Sequence, residues 1–243
     1  MEFRTQTIAR ALALILALPA FAEELSYNVR FGKLLKDGAG VLKVSETGVS
    51  FRETSRKKRQ KLFSHEWAYQ DIQQLFVAAQ SLKLLTYQDV VWRLGADREF
   101  RFLLSGVDDF KAVYDLLKNR LDQRFVAAFV EEKIEPLWTI PVKRLGRIRG
   151  SEGELLVARD RIVYKSERPG DSRTWRMEDL ENISSSGPYE LVLTTNERAL
   201  LHYGSMKGYD FRLKRKLDPK RVDELWFRLQ QGKGLKSLAN YKN

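Results

Sequence analysis

The chain has 243 residues, no cysteine, 43 Lys and Arg against 32 Asp and Glu, and a formal net charge of +11. This length suits one large domain or two domains of about 100 residues. The lack of Cys excludes a disulfide scaffold, and an apolar fraction of 43% with five Trp excludes a largely disordered chain.

Residues 1–22 have the features of a secretory signal peptide. Two arginines precede the apolar run ALALILALPAFA, which ends in a small-x-small triplet at Ala22. This pattern predicts cleavage after Ala22 and export to the periplasm or beyond the cell. The run is shorter than the ~20 residues of a membrane helix, so the mature chain is expected to have no transmembrane span. An uncleaved interfacial anchor is the alternative that remains open.

The sequence contains an internal duplication. EWAYQDIQQL at 66–75 recurs as TWRMEDLENI at 174–183, which aligns Trp67 and Asp71 with Trp175 and Asp179. Two further pairs of segments align in the same chain order. GVLKVSETGVSF (40–51), before the first pair, aligns with GELLVARDRIVY (153–164), and EFRF (99–102), after it, aligns with DFRL (210–213). Offsets that stay between 108 and 113 residues indicate one unit repeated with small insertions and deletions.

Each unit is predicted to contain about seven antiparallel strands followed by one amphipathic helix. Apolar residues that alternate with polar ones mark the half-buried strands. Asp218 and Pro219 predict the start of the second helix, and Asp108 is the cap predicted for the first. The apolar stripe of the first helix continues through RFVAAFV, which predicts a helix that extends to about Val130.

This order of strands and helix, with the Trp-x-x-x-Asp-aliphatic segment in the middle, resembles the pleckstrin-homology-like fold in its bacterial and GRAM-like variants. The arrangement is most similar to exported bacterial proteins that carry two such repeats. The resemblance implies a mainly β protein with two units, each a partly open barrel of about seven antiparallel strands capped by a C-terminal helix. It specifies fold more than function, because this fold hosts lipid, peptide and protein ligands. The predicted divisions are the signal peptide at 1–22, a first unit with its extended helix at 28–130, a junction at 131–139, a second unit at 140–231 and a basic tail at 232–243.

The repeated Trp and Asp are interpreted as a structural signature. Trp67 and Trp175 fall on the apolar side of an alternating strand. Asp71 and Asp179 fall where each strand ends, a place where Asp commonly accepts backbone hydrogen bonds. A catalytic role for the two Asp residues is the alternative.

The sequence predicts no catalytic residues, no metal site and no cofactor. His65 and His202 are the two histidines, and neither has further ligands at metal-binding spacings. No nucleophile elbow, phosphate-binding Gly loop or zinc-protease helix is recognisable.

Three basic clusters are the candidate polyanion-binding sites. Their cations are Arg56, Lys57, Lys58, Arg59 and Lys61; Lys143, Arg144, Arg147 and Arg149; and Lys214, Arg215 and Lys216. The resemblance implies a head-group site at the first hairpin, where pleckstrin-homology-like domains place cations. Anionic phospholipid, lipopolysaccharide phosphates or acidic polysaccharide would be the partners in an exported protein. Nucleic acid is not expected, because stacking aromatics do not alternate with these runs. Solvated, non-binding loops are the alternative.

Three functions therefore remain in competition. The favoured one is a non-enzymatic exported binding or scaffolding protein that contacts an anionic envelope component or an unknown protein partner. The second is an enzyme with a site at the cleft between the two units. The third is a structural subunit that forms a homo-oligomer through Phe125 and Phe129.

Overall fold

The computed structural model describes residues 23–32, 38–55, 62–91, 96–122, 125–146, 149–199 and 206–234. Several predictions fall outside these ranges: the signal peptide at 1–22, the first basic cluster at 56–61, Arg147, His202 and residues 235–243 of the tail.

Within these ranges, seven strands precede the first helix and eight more lie between it and the second: a single strand and then a second group of seven. The first group is β1 Leu25–Gly32, β2 Gly38–Val44, β3 Gly48–Ser55, β4 Ser64–Ala68, β5 Ile72–Ala78, β6 Ser81–Asp89 and β7 Asp97–Leu104, followed by α1 Lys111–Leu117 and then β8 Phe125–Ala128. The second group is β9 Trp138–Arg144, β10 Ser151–Val157, β11 Arg161–Ser166, β12 Arg173–Arg176, β13 Leu180–Ser184, β14 Glu190–Arg198 and β15 Met206–Leu213, followed by α2 Pro219–Gly232. Short 3-10 helices at Tyr69–Asp71 and Met177–Asp179 follow β4 and β12.

The described strands join into one mixed sheet of fifteen. Its order is β13-β14-β15-β9-β10-β11-β12-β8-β5-β6-β7-β1-β2-β3-β4, so the same seven-strand order occurs twice with β8 between the two copies. β8 pairs parallel with β5 and antiparallel with β12. The prediction of two separate, partly open barrels is therefore wrong, because β8 links an edge of one repeat to an edge of the other. The protein is nevertheless mainly β, with a helix near its C-terminus.

The apolar core lies in two clusters even though the sheet is continuous. One contains side chains from β1 to β8 and α1, including Phe102 and Phe110. The other contains side chains from β9 to β15 and α2, including Tyr164 and Phe211. The boundaries predicted at 28–130, 131–139 and 140–231 are not tested by this division of the core and stay a prediction. None of the helices in the described ranges is long and apolar enough to cross a membrane.

The first helix is much shorter than predicted. It ends at Leu117, and residues 125–128 form β8 with all four side chains buried. An apolar run suits a strand whose two faces are both covered, and here the run also supplies hydrogen bonds to β5. Phe125 and Phe129 pack on Tyr114 with ring centroids 6.1 and 5.3 Å away, so they do not form an exposed contact for a second chain.

The two helix starts illustrate one wrong and one correct prediction. Asp218 accepts a hydrogen bond from the backbone N–H of Lys220 at 3.0 Å, and the predicted cap of α2 is confirmed. At α1 the carboxylate that accepts is Asp109, from the backbone N–H of Lys111 at 2.9 Å, rather than Asp108.

Candidate functional site

The two copies of the Trp-x-x-x-Asp segment have different local roles. Trp67 and Trp175 are both buried. Asp179 accepts a hydrogen bond from the backbone N–H of Arg176 at 2.8 Å and from its guanidinium at 2.7 and 3.0 Å. Asp71 is exposed, and its 3-10 helix has no side-chain cap.

Arg176 extends the second copy of the segment towards the first repeat. Its guanidinium donates to the carbonyl oxygens of Leu121 and Asp122 at 2.7 and 2.8 Å. Burial raises the pKa of Asp179, and the ion pair with Arg176 opposes that rise. In the second repeat this segment therefore helps to hold the chain that follows α1.

The cations of the second and third basic clusters alternate with acids from neighbouring strands. Lys143 lies opposite Glu152 of β10 and Arg212 of β15. Lys214 forms an ion pair with Glu152, and Arg212 forms one with Glu190. The outer face of these strands is thus a ladder of mixed charge rather than a basic surface.

The remaining cations of these clusters differ in their pairing. Arg144 is half-buried, and its Nη2 lies 2.9 Å from Asp171 Oδ2 as an ion pair. Arg149, Arg215 and Lys216 form no ion pair with any residue that the structure describes. Lys143 forms no ion pair with a described residue either, although it lies opposite Glu152, so Arg149, Arg215 and Lys216 are the described cations of these clusters with no acid placed against them.

A group of ionisable side chains, three of them buried and the fourth half-buried, lies in the second repeat where it faces the first, and the sequence did not indicate it. We name it the junction cluster; its members are Arg173 of β12, Glu197 of β14, and Lys207 and Tyr209 of β15. The Tyr209 hydroxyl donates to Glu197 Oε1 and Oε2 at 2.7 and 2.8 Å. It also receives the Lys207 ammonium at 2.6 Å and the Arg173 Nε–H at 3.3 Å.

Glu197 is the centre of the junction cluster. Its Oε2 accepts from Lys207 at 2.8 Å and its Oε1 from the indole N–H of Trp175 at 3.3 Å. Burial alone would raise the pKa of Glu197, but the charges of Lys207 and Arg173 bring it below its ordinary value. The pKa of Tyr209 lies well above its ordinary value, mainly because the side chain is buried and also because the Glu197 carboxylate is next to it. Glu197 is therefore ionised and Tyr209 is a neutral donor at neutral pH.

The first repeat closes over this cluster with an aromatic ring. The Arg173 guanidinium lies over the ring of Phe76 of β5, with its Cζ 5.3 Å from the ring centroid. The Lys83 ammonium lies 4.6 Å from the same centroid. Nearby, the Gln74 side chain donates to the Asn196 carbonyl at 3.2 Å. Cation–π contacts and hydrogen bonds thus join the outer face of β5 and β6 to the second repeat.

Among the described residues of the first repeat, the equivalent positions do not form such an ionised cluster. Thr86 and Thr195 each donate to the carbonyl of the facing strand at 3.2 Å, which aligns the two repeats residue by residue in this region. The counterparts of Arg173, Glu197, Lys207 and Tyr209 in that alignment are His65, Gln88, Arg98 and Phe100.

Two of these counterparts, His65 and Phe100, belong to an aromatic group instead. With Phe63 they form a triangle of nearly parallel rings whose centroids are 6.1–6.4 Å apart. The indole N–H of Trp67, unlike that of Trp175, has no hydrogen-bond partner among the described protein atoms. The repeat therefore folds without the charges, and the junction cluster is specific to the copy that docks on its neighbour. The sequence signal for the junction cluster was the difference in charge between aligned positions of the two repeats, which a position-by-position comparison would have revealed.

Two small cavities lie among the described residues where the repeats meet. One, beside the junction cluster, includes Trp175 and Glu197 and has a volume of about 10 Å³, and the other, beside Tyr114 and Arg161, has about 20 Å³. A larger, open groove of about 440 Å³ runs along β3 and β4 at the far end of the sheet. Among the described residues, no three His, Asp or Glu side chains are grouped so as to hold a metal ion.

Comparisons with known proteins add little. The sequence matches no family model, and no curated protein matches it. Among solved structures, the chain is similar to "Structure of the Spt16D Pob3N heterodimer", with 12% identity over 72% of this chain and 84% of that chain. The TM-score is 0.29, which is a weak likeness.

Proposed function

We propose that this chain is an exported, non-enzymatic binding or scaffolding protein in which the two repeats form one rigid platform. The observation that carries the proposal is the junction cluster, whose charged side chains are hydrogen-bonded to one another in the second repeat and contact the first repeat through Phe76, with Gln74 bonded to Asn196 beside it. Removing a partner from a buried charged network is costly, so such a network favours one fixed arrangement of the parts it joins. Residues 1–22 support export, since they match a signal peptide.

The small cavities at the junction favour binding over catalysis. Small-molecule sites commonly have volumes of ~300–1,000 Å³, whereas cavities of about 10 and 20 Å³ hold at most a water molecule. The acidic and basic groups of the cluster are directed at one another rather than into an open pocket. An enzyme with its site at this cleft would have to separate the repeats before substrate could enter.

The resemblance to pleckstrin-homology-like domains is part of this proposal and rests on the repeated strand-then-helix order. The partner would be a protein or an anionic envelope component. For the anionic partner, the supporting residues are the unpaired Arg149, Arg215 and Lys216, together with the basic cluster at 56–61.

Vesicle co-sedimentation tests the anionic partner. We expect the mature chain to bind vesicles that contain an anionic phospholipid at low salt, and to bind neutral vesicles weakly. Replacing Arg149, Arg215 and Lys216 with Gln should weaken this binding, as should neutralising the cluster at 56–61. Replacing Lys214, whose charge Glu152 compensates, is the matched control and should have a smaller effect.

A second measurement tests the protein partner. Envelope fractions passed over the immobilised chain at low and high salt would separate electrostatic contacts from a specific complex. Absence of binding to anionic vesicles would reject an anionic phospholipid as the partner, and absence of both vesicle binding and a salt-resistant protein complex would reject the proposed function.

A further inference from the structure

The strand β4 ends the sheet, and its outer edge pairs with no other strand in the described ranges. It lies antiparallel to β3, with Glu53 N–H donating to the Phe63 carbonyl at 2.8 Å. In an antiparallel pair, residues alternate between bonding the neighbour and facing away from it. Ser64, Glu66 and Ala68 therefore direct their backbone N–H and C=O groups to the open edge.

The second repeat shows what this edge can accept. Its counterpart is β12, in which Trp175 and Thr174 occupy the register positions of Trp67 and Glu66. The outer edge of β12 is covered by β8, with Thr174 opposite Ala127. The Thr174 hydroxyl also donates to the Phe129 carbonyl at 2.7 Å and accepts the backbone N–H of Glu131 at 3.2 Å. The same edge of the same unit is thus an edge that binds an extended segment.

Glu66 of β4 carries an uncompensated charge beside the open edge. It lines a groove of about 440 Å³ on the outer face of the sheet, together with Ser50 and Lys43 of the neighbouring strands. Glu24, also on this groove, is paired with Lys43 at 2.6 Å, whereas Glu66 forms no ion pair with a described residue. A strand paired with the open edge would place the side chain opposite Glu66 on the same face, against its carboxylate.

We propose that the open edge of β4 binds an extended segment of a partner polypeptide, antiparallel, with a basic side chain opposite Glu66. This inference rests on the proposed binding function and specifies the partner's chemistry. A second copy of this chain fits less well: two β4 strands in the symmetric register that uses the whole strand would place Glu66 opposite Glu66. Like charges directly opposite one another destabilise a strand pair, and opposite charges stabilise it.

Two synthetic peptides are the probes. One has the sequence of residues 121–131, LDQRFVAAFVE, which contains β8; the other has Lys in place of the residue corresponding to Ala127. We expect both to bind the full chain, the Lys peptide about two- to fivefold tighter, as a cross-strand ion pair contributes. Amide hydrogen exchange should show protection at 64–68 on binding, and fluorescence anisotropy gives the affinities.

Two variants locate the contact. Glu66→Pro removes an outward N–H and blocks the edge, so it should abolish binding of both peptides. Glu66→Thr installs the counterpart residue, so it should retain binding and lose the preference for the Lys peptide. Circular dichroism and thermal unfolding check that both variants fold. If the proline variant does not fold, the preference measured with the threonine variant still decides the question.

Three outcomes would overturn the inference. They are protection confined to 173–176, where the peptide would be displacing β8; equal affinities of both peptides for wild type and Glu66→Thr; and protection of 64–68 that arises from dimerisation without peptide. None of these outcomes changes what the vesicle and envelope-fraction experiments would show for other parts of the surface. This inference and the proposed function can therefore fail separately.

Discussion

Replacing Tyr209 with Phe tests whether the junction cluster stabilises the protein. The substitution deletes one hydroxyl from a buried side chain and converts the position to the residue of the first repeat, Phe100. That hydroxyl donates to Glu197 at 2.7 and 2.8 Å and accepts from Lys207 at 2.6 Å. Volume and apolar packing change little, so the measured effect reports the hydrogen bonds.

The expected cost follows from these contacts. Hydrogen bonds to charged groups contribute about 1.5–3 kcal/mol each, and bonds within one network are not additive. Glu197 retains Lys207 and the Trp175 indole as donors, so its carboxylate is only partly deprived. We therefore expect the free energy of unfolding to fall by about 2 kcal/mol.

Urea unfolding measures this change through the transition midpoint at constant slope. Tyr189→Phe is the matched control, because Tyr189 is exposed and its hydroxyl makes no hydrogen bond in the described structure. The control should change stability by less than about 0.5 kcal/mol. A double-mutant cycle of Tyr209→Phe with Glu197→Gln should give a coupling of at least about 0.5 kcal/mol. An effect of Tyr209→Phe no larger than the control, or no coupling, would refute the stabilising role.

Two further predictions concern the same region. The folded-state pKa of Glu197 is lowered from its ordinary value of 4.5, so its contribution is present above that pH and is lost as the pH falls through the folded value. Urea midpoints measured against pH should accordingly fall more steeply on the acid side for wild type than for Glu197→Gln, and parallel curves would contradict this. Asp179→Asn should lower the free energy of unfolding by about 1–3 kcal/mol, because the half-buried carboxylate accepts from the backbone and guanidinium of Arg176. Asp71→Asn, the same change in the first repeat, should cost less than about 0.5 kcal/mol, and equal losses in thermal or urea unfolding would contradict the difference between the repeats.

The duplicated strand-then-helix order was predictable from local pattern. Alternation of apolar residues depends on the two faces of a single strand, and the start of α2 depends on Asp218 and Pro219 alone. The alignment of Trp67 with Trp175 likewise required only the sequence. Each of these features is decided by residues a few positions apart.

The secondary structure of the segment RFVAAFV was not predictable from local pattern. Its spacing is compatible with a helix, and an apolar run of this length does not distinguish a buried helix from a buried strand. The structure makes residues 125–128 a strand because the open edges of β5 and β12 lie on either side of it. That choice depends on partners far away in sequence: Phe125 pairs with Leu75, 50 residues before it, and Ala127 pairs with Thr174, 47 residues after it.

The positions of the charged residues were readable from the sequence, but their ion pairs were not. The sequence displays the cations of 143–149 and 214–216 as basic clusters, since their acidic partners lie elsewhere in the chain. The fold of the sheet and its loops brings Glu152 to Lys214 and Asp171 to Arg144. The junction cluster was hidden for the same reason, because Arg173, Glu197 and Tyr209 lie on three strands.

The sequence by itself determined the composition, the duplication, most of the strands and the second helix, all of which follow from short-range periodicity and capping. The tertiary structure decided the continuous sheet, the role of β8, the pairing of the surface charges and the buried cluster between the repeats. These depend on which edges and faces meet, and hydrogen bonds or ion pairs between residues distant in sequence leave no local pattern.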